Sequence, residues 1–267
     1  MTVLAEFFTI HDDVLDPQPA AFSGWDPTMM RGPAVTGALA RAAEHAVSDD
    51  ALRPAHATFE LFRPARMVPT MTDVAVVRRG RRLCLVDAYL LQADQQVARA
   101  HITFVAATDE PTGRLWHSQG PIIPPDSRAQ SDAEGRLYRS DDGWTRSAAE
   151  HVNSAHKFVW QRHRTMVRGE EPTPFQSLAS AADLTSLVVH WGSHGIEFIN
   201  ANVSMAFSRL PEGPGIGLSA IQFDSDAGIS AGSATLFDER GSFGSSSVTG
   251  LANTSRAVKV EARARLE

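Results

Sequence analysis

The chain has 267 residues, 43% of them hydrophobic and 21% charged, which suits one large or two small globular domains and excludes a disordered chain. A formal net charge of -6 and a pI near 5.9 argue against nucleic acid or an anionic membrane surface as the main partner, leaving a small molecule or another protein. The one cysteine, Cys84, excludes an intrachain disulfide. The opening MTVLAEFFTIHDD has neither a basic leader nor a long apolar stretch, so the expectation is a cytoplasmic protein with no membrane span.

In chain order, GPAVTGALARAAEHAV (32–47) predicts the first helix: Pro33 fits a first turn, and the alanines let the helix lie close to a sheet. ATFELFRP (57–64), TMTDVAVV (70–77), RLCLVDAYLL (82–91) and VARAHITFVA (97–106) alternate and are rich in β-branched or aromatic residues, as strands should be. The short links RRGRR and QADQQ make them an antiparallel meander. Residues 111–150 collect proline, glycine, serine and acids without periodicity and predict a linker between a first unit, 1–110, and a second, 151–267. Beyond it come a strand at 156–166, a helix from 174 to about 190, and strands near 197–209, 215–225, 229–238 and 243–251.

The order of elements repeats. ATFELFR, ending at Arg63, is echoed by VSMAFSR, ending at Arg209, and an acid follows each about 30 residues later, at Asp94 and Asp238. Two copies of one small α+β unit, each a helix wrapped by a curved antiparallel sheet, constitute a double hot-dog arrangement.

The second helix poses a chemical question. Thr173, Pro174 and Gln176 read as its N-cap, first turn and capping-box partner, which puts Asp183 deep inside the helix within the small and apolar run SLASAADLTSL. A carboxylate there is beyond the first turn that would favour it. Pairing with a polar neighbour or simple exposure would explain it blandly; a catalytic acid would explain it functionally.

SGWDPTMMRGPAVTGALARAAE, FELFRPARMVPTMTDVAVVRRGRR, VRGEEPTPFQSLASAADL and INANVSMAFSR together resemble acyl-CoA thioesterase II and its relatives over nearly the whole chain. The resemblance implies hydrolysis of a fatty or related acyl thioester by direct water attack, with coenzyme A present only as part of the substrate and no other cofactor or metal. It implies a site of three residues: Asp183 to orient or deprotonate water, Asn200 where the family has a threonine, and Thr249 where it has a glutamine. Those two departures keep open a second reading, a protein that binds acyl-CoA without hydrolysing it. A third, an enoyl thioester hydratase, would want a histidine beside the aspartate, and the nearest, His190, lies about two turns on. The family pattern has a histidine followed by glycines near Met30, Arg31 and Gly32, which this sequence lacks, and family members often assemble into homo-oligomers, which implies a homo-oligomer here.

Other motifs read more plainly. Gly228-Ile229-Ser230-Ala231-Gly232 matches a nucleophile elbow but is followed by a strand instead of a helix. Arg78, Arg79, Arg81 and Arg82 around Gly80 could meet phosphates, although a hairpin tip is polar in any case. Histidines 151, 156, 163, 190 and 194 lack metal-ligand spacing. GPGIG (213–217) opens no helix, Cys84 reads as core, and Trp25 as either a core plug or a lining for an acyl tunnel.

Overall fold

The computed structural model describes residues 6–24, 26–113, 122–126, 135–141 and 143–253. Trp25 and the tail AVKVEARARLE lie outside the described residues. A short hairpin, β1 (Phe8–His11) and β2 (Val14–Pro17), precedes helix α1 (Gly32–Val47). The first meander follows as β3 (Leu52–Glu60), β4 (Met71–Arg79), β5 (Leu83–Gln92) and β6 (Gln95–Ala106). The second half contains β7 (Arg136–Arg139), β8 (Phe158–Arg162), helices α2 (Pro174–Ala182) and α3 (Leu184–His190), and the two-residue strands β9 (Trp191–Gly192) and β10 (Gly195–Ile196). The chain then runs through β11 (Phe198–Phe207), β12 (Gly215–Asp226), β13 (Ile229–Asp238) and β14 (Gly241–Ala252).

Ten strands form one antiparallel sheet in the order β4-β5-β6-β3-β11-β14-β13-β12-β8-β7, with the helices packed against it, a double hot-dog. The halves meet at a seam where β3 pairs with β11. Thr58 faces Ser204 across it, and their hydroxyls lie 3.0 Å apart. The seam is a pseudo-two-fold axis. Four residues upstream of that pair, Pro54 corresponds to Asn200; five downstream, Arg63 corresponds to Arg209. The irregularities obey the same relation, since the register shifts between Pro54 and His56 in one half and between Asn200 and Asn202 in the other.

Helices α1 and α2 pack antiparallel against each other. Glu44, near the end of α1, accepts from Thr173 Oγ1 (2.7 Å) and Gln176 Nε2 (3.0 Å) at the start of α2. Burial pushes the Glu44 carboxyl above its usual range, although both hydrogen bonds act to lower it. Thr173 caps α2 through the Gln176 N–H at 3.0 Å, as its position in the sequence predicts, whereas the Gln176 side chain spans the two helices instead of closing a capping box. Arg41 adds a bidentate pair with Glu170, at 2.7 and 2.6 Å. The alanine-rich face of α1, with Ala34, Ala38 and Ala42 buried, permits the close packing.

Three expectations change. The helix from 174 breaks at Asp183, which ends α2 and begins α3; Ser186 N–H bonds the Asp183 carbonyl at 3.2 Å, so the joint is a tight three-residue turn. The segment read as linker contributes an edge strand, β7, paired with β8. Asp94 is not the counterpart of Asp238: it sits at a left-handed turn position with φ 60°, and the end of β5 that matches Asp238 is Gln92. Among the described residues no helix is long and apolar enough to cross a membrane.

Candidate active site

At the joint between α2 and α3, the half-buried Asp183 side chain comes to lie over the first residue of α1. A Cβ built on Gly32 would stand 2.4 Å from Asp183 Cγ and 2.5 Å from each carboxylate oxygen, so only glycine leaves room for the acid. The helix break is what turns the carboxylate toward this spot. The Gly32 N–H, one of the donors that a helix start leaves unmatched, makes no hydrogen bond among the described residues. The positive end of the 16-residue α1 helix therefore points at a negative side chain.

Asn200 joins this pair. Its Nδ2 donates to Asp183 Oδ1 at 3.0 Å. Inward residues of β11 are Val203, Met205 and Phe207, a phase that would turn Asn200 outward; the bulge between Asn200 and Asn202 shifts the phase and brings the amide in. Gly32 and Asn200 both line a groove of about 500 Å³, whose walls are Met30, Val35, Leu61, Phe62, Ile199 and Leu251, with Arg63 at its rim. A small polar group lining a largely apolar groove suits a ligand with a reactive polar centre and a hydrocarbon tail.

The structure does not bring Thr249 into this group. On β14, Ser246, Val248 and Gly250 face the helices, so Thr249 faces out; it is exposed and its hydroxyl makes no hydrogen bond among the described residues, while its N–H donates to Asn202 Oδ1 at 3.2 Å. Gly250, not Thr249, pairs with Asn200. The residue type and the facing of Thr249 both differ from what the resemblance implies.

Sequence reasoning missed a buried polar cluster. Ser230 lies within β13 with strand on both sides, which is not an elbow, yet its Oγ lies 2.9 Å from His190 Nε2, and Ser186 Oγ lies 3.0 Å from Nδ1. Gly250 makes space for this contact, because a Cβ there would stand 2.4 Å from Ser230 Oγ. Burial lowers the His190 pKa to about 4, so the ring is neutral at pH 7 and satisfied at both nitrogens. The spacing of Ser186 and His190, one helical turn apart, was the available signal.

The remaining candidates disperse. His151 lies between Ser140 and Thr145, His163 faces the Gly213 carbonyl, and His194 is exposed beside Glu197. Among the described residues no three His, Cys, Asp or Glu side chains are grouped to hold a metal ion. Cys84 is fully buried in the core. Arg79 donates to the Ala46 and Val47 carbonyls at 3.1 and 3.0 Å, capping the end of α1. The arginine turn thus stands a helix length, about 24 Å, from Gly32.

Residues 23–105 match the family model described as the acyl-CoA thioesterase N-terminal domain, and residues 102–251 match that of the C-terminal domain. The chain belongs to the acyl-CoA thioesterase family. Among curated proteins, none matches it. Solved structures similar to this thioesterase-family chain include the acyl-CoA thioesterase II TesB2 of Mycobacterium marinum, at 18% identity, covering 83% of this chain and 90% of that one with a TM-score of 0.59. The TesB protein of Mycobacterium avium subspecies paratuberculosis is similar at 14% identity over 91% and 94% of the two chains, TM-score 0.64. A hot-dog protein of Alicyclobacillus acidocaldarius is similar at 14% over 92% and 95%, TM-score 0.66. At such identities the likeness is one of fold.

Proposed function

We propose that this protein hydrolyses an acyl-CoA thioester by direct attack of water, with Asp183 as the base. The observation that carries the reading is the Asp183 carboxylate held between the Asn200 amide and the start of α1, beside an apolar groove. Asp183 takes a proton from water as the water oxygen bonds the thioester carbon. The Gly32 N–H donates to the carbonyl oxygen as negative charge develops there. The carbon–sulfur bond then breaks, and the proton held by Asp183 passes to the departing thiolate. Asn200 fixes the carboxylate, and the groove takes the acyl chain away from water. Neither a metal nor a redox group has a part in these steps.

The opposite end of the helix pair supports the assignment by contrast. There the counterpart of Asn200 is Pro54, which offers no donor, and the matching position in α1 to Asp183, counted from Pro33 and Pro174, is Ala42. One end of the pseudo-symmetric molecule carries acid and amide; the other carries neither.

The test is free-thiol release from acyl-CoA esters of graded chain length, with Asp183→Asn run beside the wild-type protein. Loss of turnover by roughly 10² to 10⁴ with an unchanged far-UV spectrum supports the base. Saturable binding with no thiol release by the wild type would replace hydrolysis with binding alone.

A further inference from the structure

The pseudo-two-fold relation singles out one arginine. Arg209 is locked: its guanidinium holds the Asp238 carboxylate through two donors, one at 2.8 Å, and also reaches the Gly241 carbonyl at 3.3 Å. Asp238 is completely buried and accepts further bonds from the N–H groups of Glu212 and Arg240, both at 2.8 Å. Arg63 occupies the same place in the first half, but the residue standing where Asp238 would be is Gln92. That amide is neutral and fully used, bonding the Arg66 N–H and carbonyl and the Thr70 hydroxyl at 2.8 to 2.9 Å. Glu60, a nearby acid on β3, is taken by Arg99 at 2.7 Å. Arg66 is held to Thr28 at 3.1 Å. The Arg63 side chain consequently makes no hydrogen bond or ion pair among the described residues, and it is exposed at the rim of the groove that contains Gly32 and Asn200.

We propose that Arg63 is a phosphate receptor for the carrier half of the thioester, setting the carrier in the groove so that the thioester meets Asp183; this rests on the thioesterase reading above. A guanidinium presents paired donors that match phosphate oxygens, and an exposed rim is where a strongly hydrated phosphate can bind without being desolvated. The apolar walls suit the acyl half, so the two chemistries of the ligand separate along the groove. The fold retains an arginine on both sides of the seam, and the one at the acid-bearing end has no carboxylate partner. The carrier offers two such groups, the ribose 3′-phosphate and the diphosphate bridge.

The test is calorimetric titration of the whole protein with coenzyme A, 3′-dephospho-coenzyme A and pantetheine, using wild type, Arg63→Gln, Arg63→Lys and, as a control exposed arginine at the opposite end, Arg53→Gln. Arg63→Gln is expected to weaken coenzyme A roughly 10-fold, Arg63→Lys less, and Arg53→Gln not at all, with pantetheine indifferent to every change. If the loss persists with the dephospho compound the diphosphate is the group held, and if it vanishes the 3′-phosphate is; either result supports the receptor. Unchanged coenzyme A affinity in Arg63→Gln, or an equal loss for pantetheine, overturns it. Because thiol release is not the readout, an inactive Asp183 variant that still binds coenzyme A through Arg63 separates failure of the hydrolysis reading from failure of this one.

Discussion

Asn200 donates to Asp183 across the gap between β11 and the α2–α3 joint, at 3.0 Å. An amide that serves only to orient the carboxylate should be replaceable in part. Asn200→Ala is expected to lower kcat roughly tenfold while Asp183→Asn lowers it far more, and the double variant should fall no further than Asp183→Asn alone. Additive losses in thiol-release kinetics would mean that the two side chains act separately.

Gly32 offers a second handle on the same acid. Alanine is ordinarily the better helix residue, by about 1 kcal/mol in a helix interior, but here its Cβ would stand 2.4 Å from Asp183 Cγ and displace the carboxylate. Gly32→Ala should leave a folded protein with turnover reduced at least tenfold. Wild-type kinetics in this variant would place the acid outside the reaction.

Thr249 faces away from the helices. Thr249→Ala is expected to keep turnover within about twofold, and Thr249→Gln, which supplies the family's residue type, should not raise it. A large change in either direction, measured by the same thiol assay, would mean that Thr249 takes part in the reaction despite its outward facing.

His190 predicts an acid-sensitive fold. Its pKa is lowered from 6.5 to about 4 by burial, so the unfolded chain binds a proton that the folded one refuses. The contribution is full above pH 6.5 and is lost as pH falls toward 4, a change on the order of 3 kcal/mol. Urea unfolding at pH 7 and pH 4.5 should record the drop, and His190→Gln should flatten the pH dependence across that window even if it lowers stability overall.

Asp238 is the buried member of the Arg209 pair. Burial raises its carboxyl pKa, yet the hydrogen bonds from Arg209 and from the Glu212 and Arg240 N–H groups outweigh this and leave it lowered. Asp238→Asn leaves the partly buried Arg209 guanidinium without its charge partner and should cost about 3 kcal/mol by denaturant titration. A cost near zero would mean that solvent already reaches the pair.

Much of the fold was legible because its cause is local. The alternation in LCLVDAYLL and in ISAGSATLFD places each strand within a residue or two, since one face of the sheet is buried and the other wet. Thr173 and Pro174 announce the start of α2 for the same reason, capping chemistry acting within one turn. The misses are all set by distant partners. Nothing within SLASAADLTSL shows that the helix breaks at Asp183, because the break is fitted to Gly32, some 150 residues earlier. Asp183 and Asn200 could be named from the pattern of residues, but the bulge that turns Asn200 inward, and the phase that turns Thr249 outward, depend on pairing register. The release of Arg63 is invisible without the seam, since it is a difference between two places that only the folded sheet makes equivalent.

The β3–β11 pairing also governs how the molecule comes apart. Because the two halves share one hydrogen-bonded ladder and a large buried core that spans both, separating them would bare the backbone of a central strand and the apolar side chains behind it, including Ala57, Phe59, Val203 and Met205. Melting should accordingly be cooperative across the whole chain, one calorimetric transition instead of two, and a fragment ending near residue 110 should be sticky and ill-behaved rather than a small independent protein.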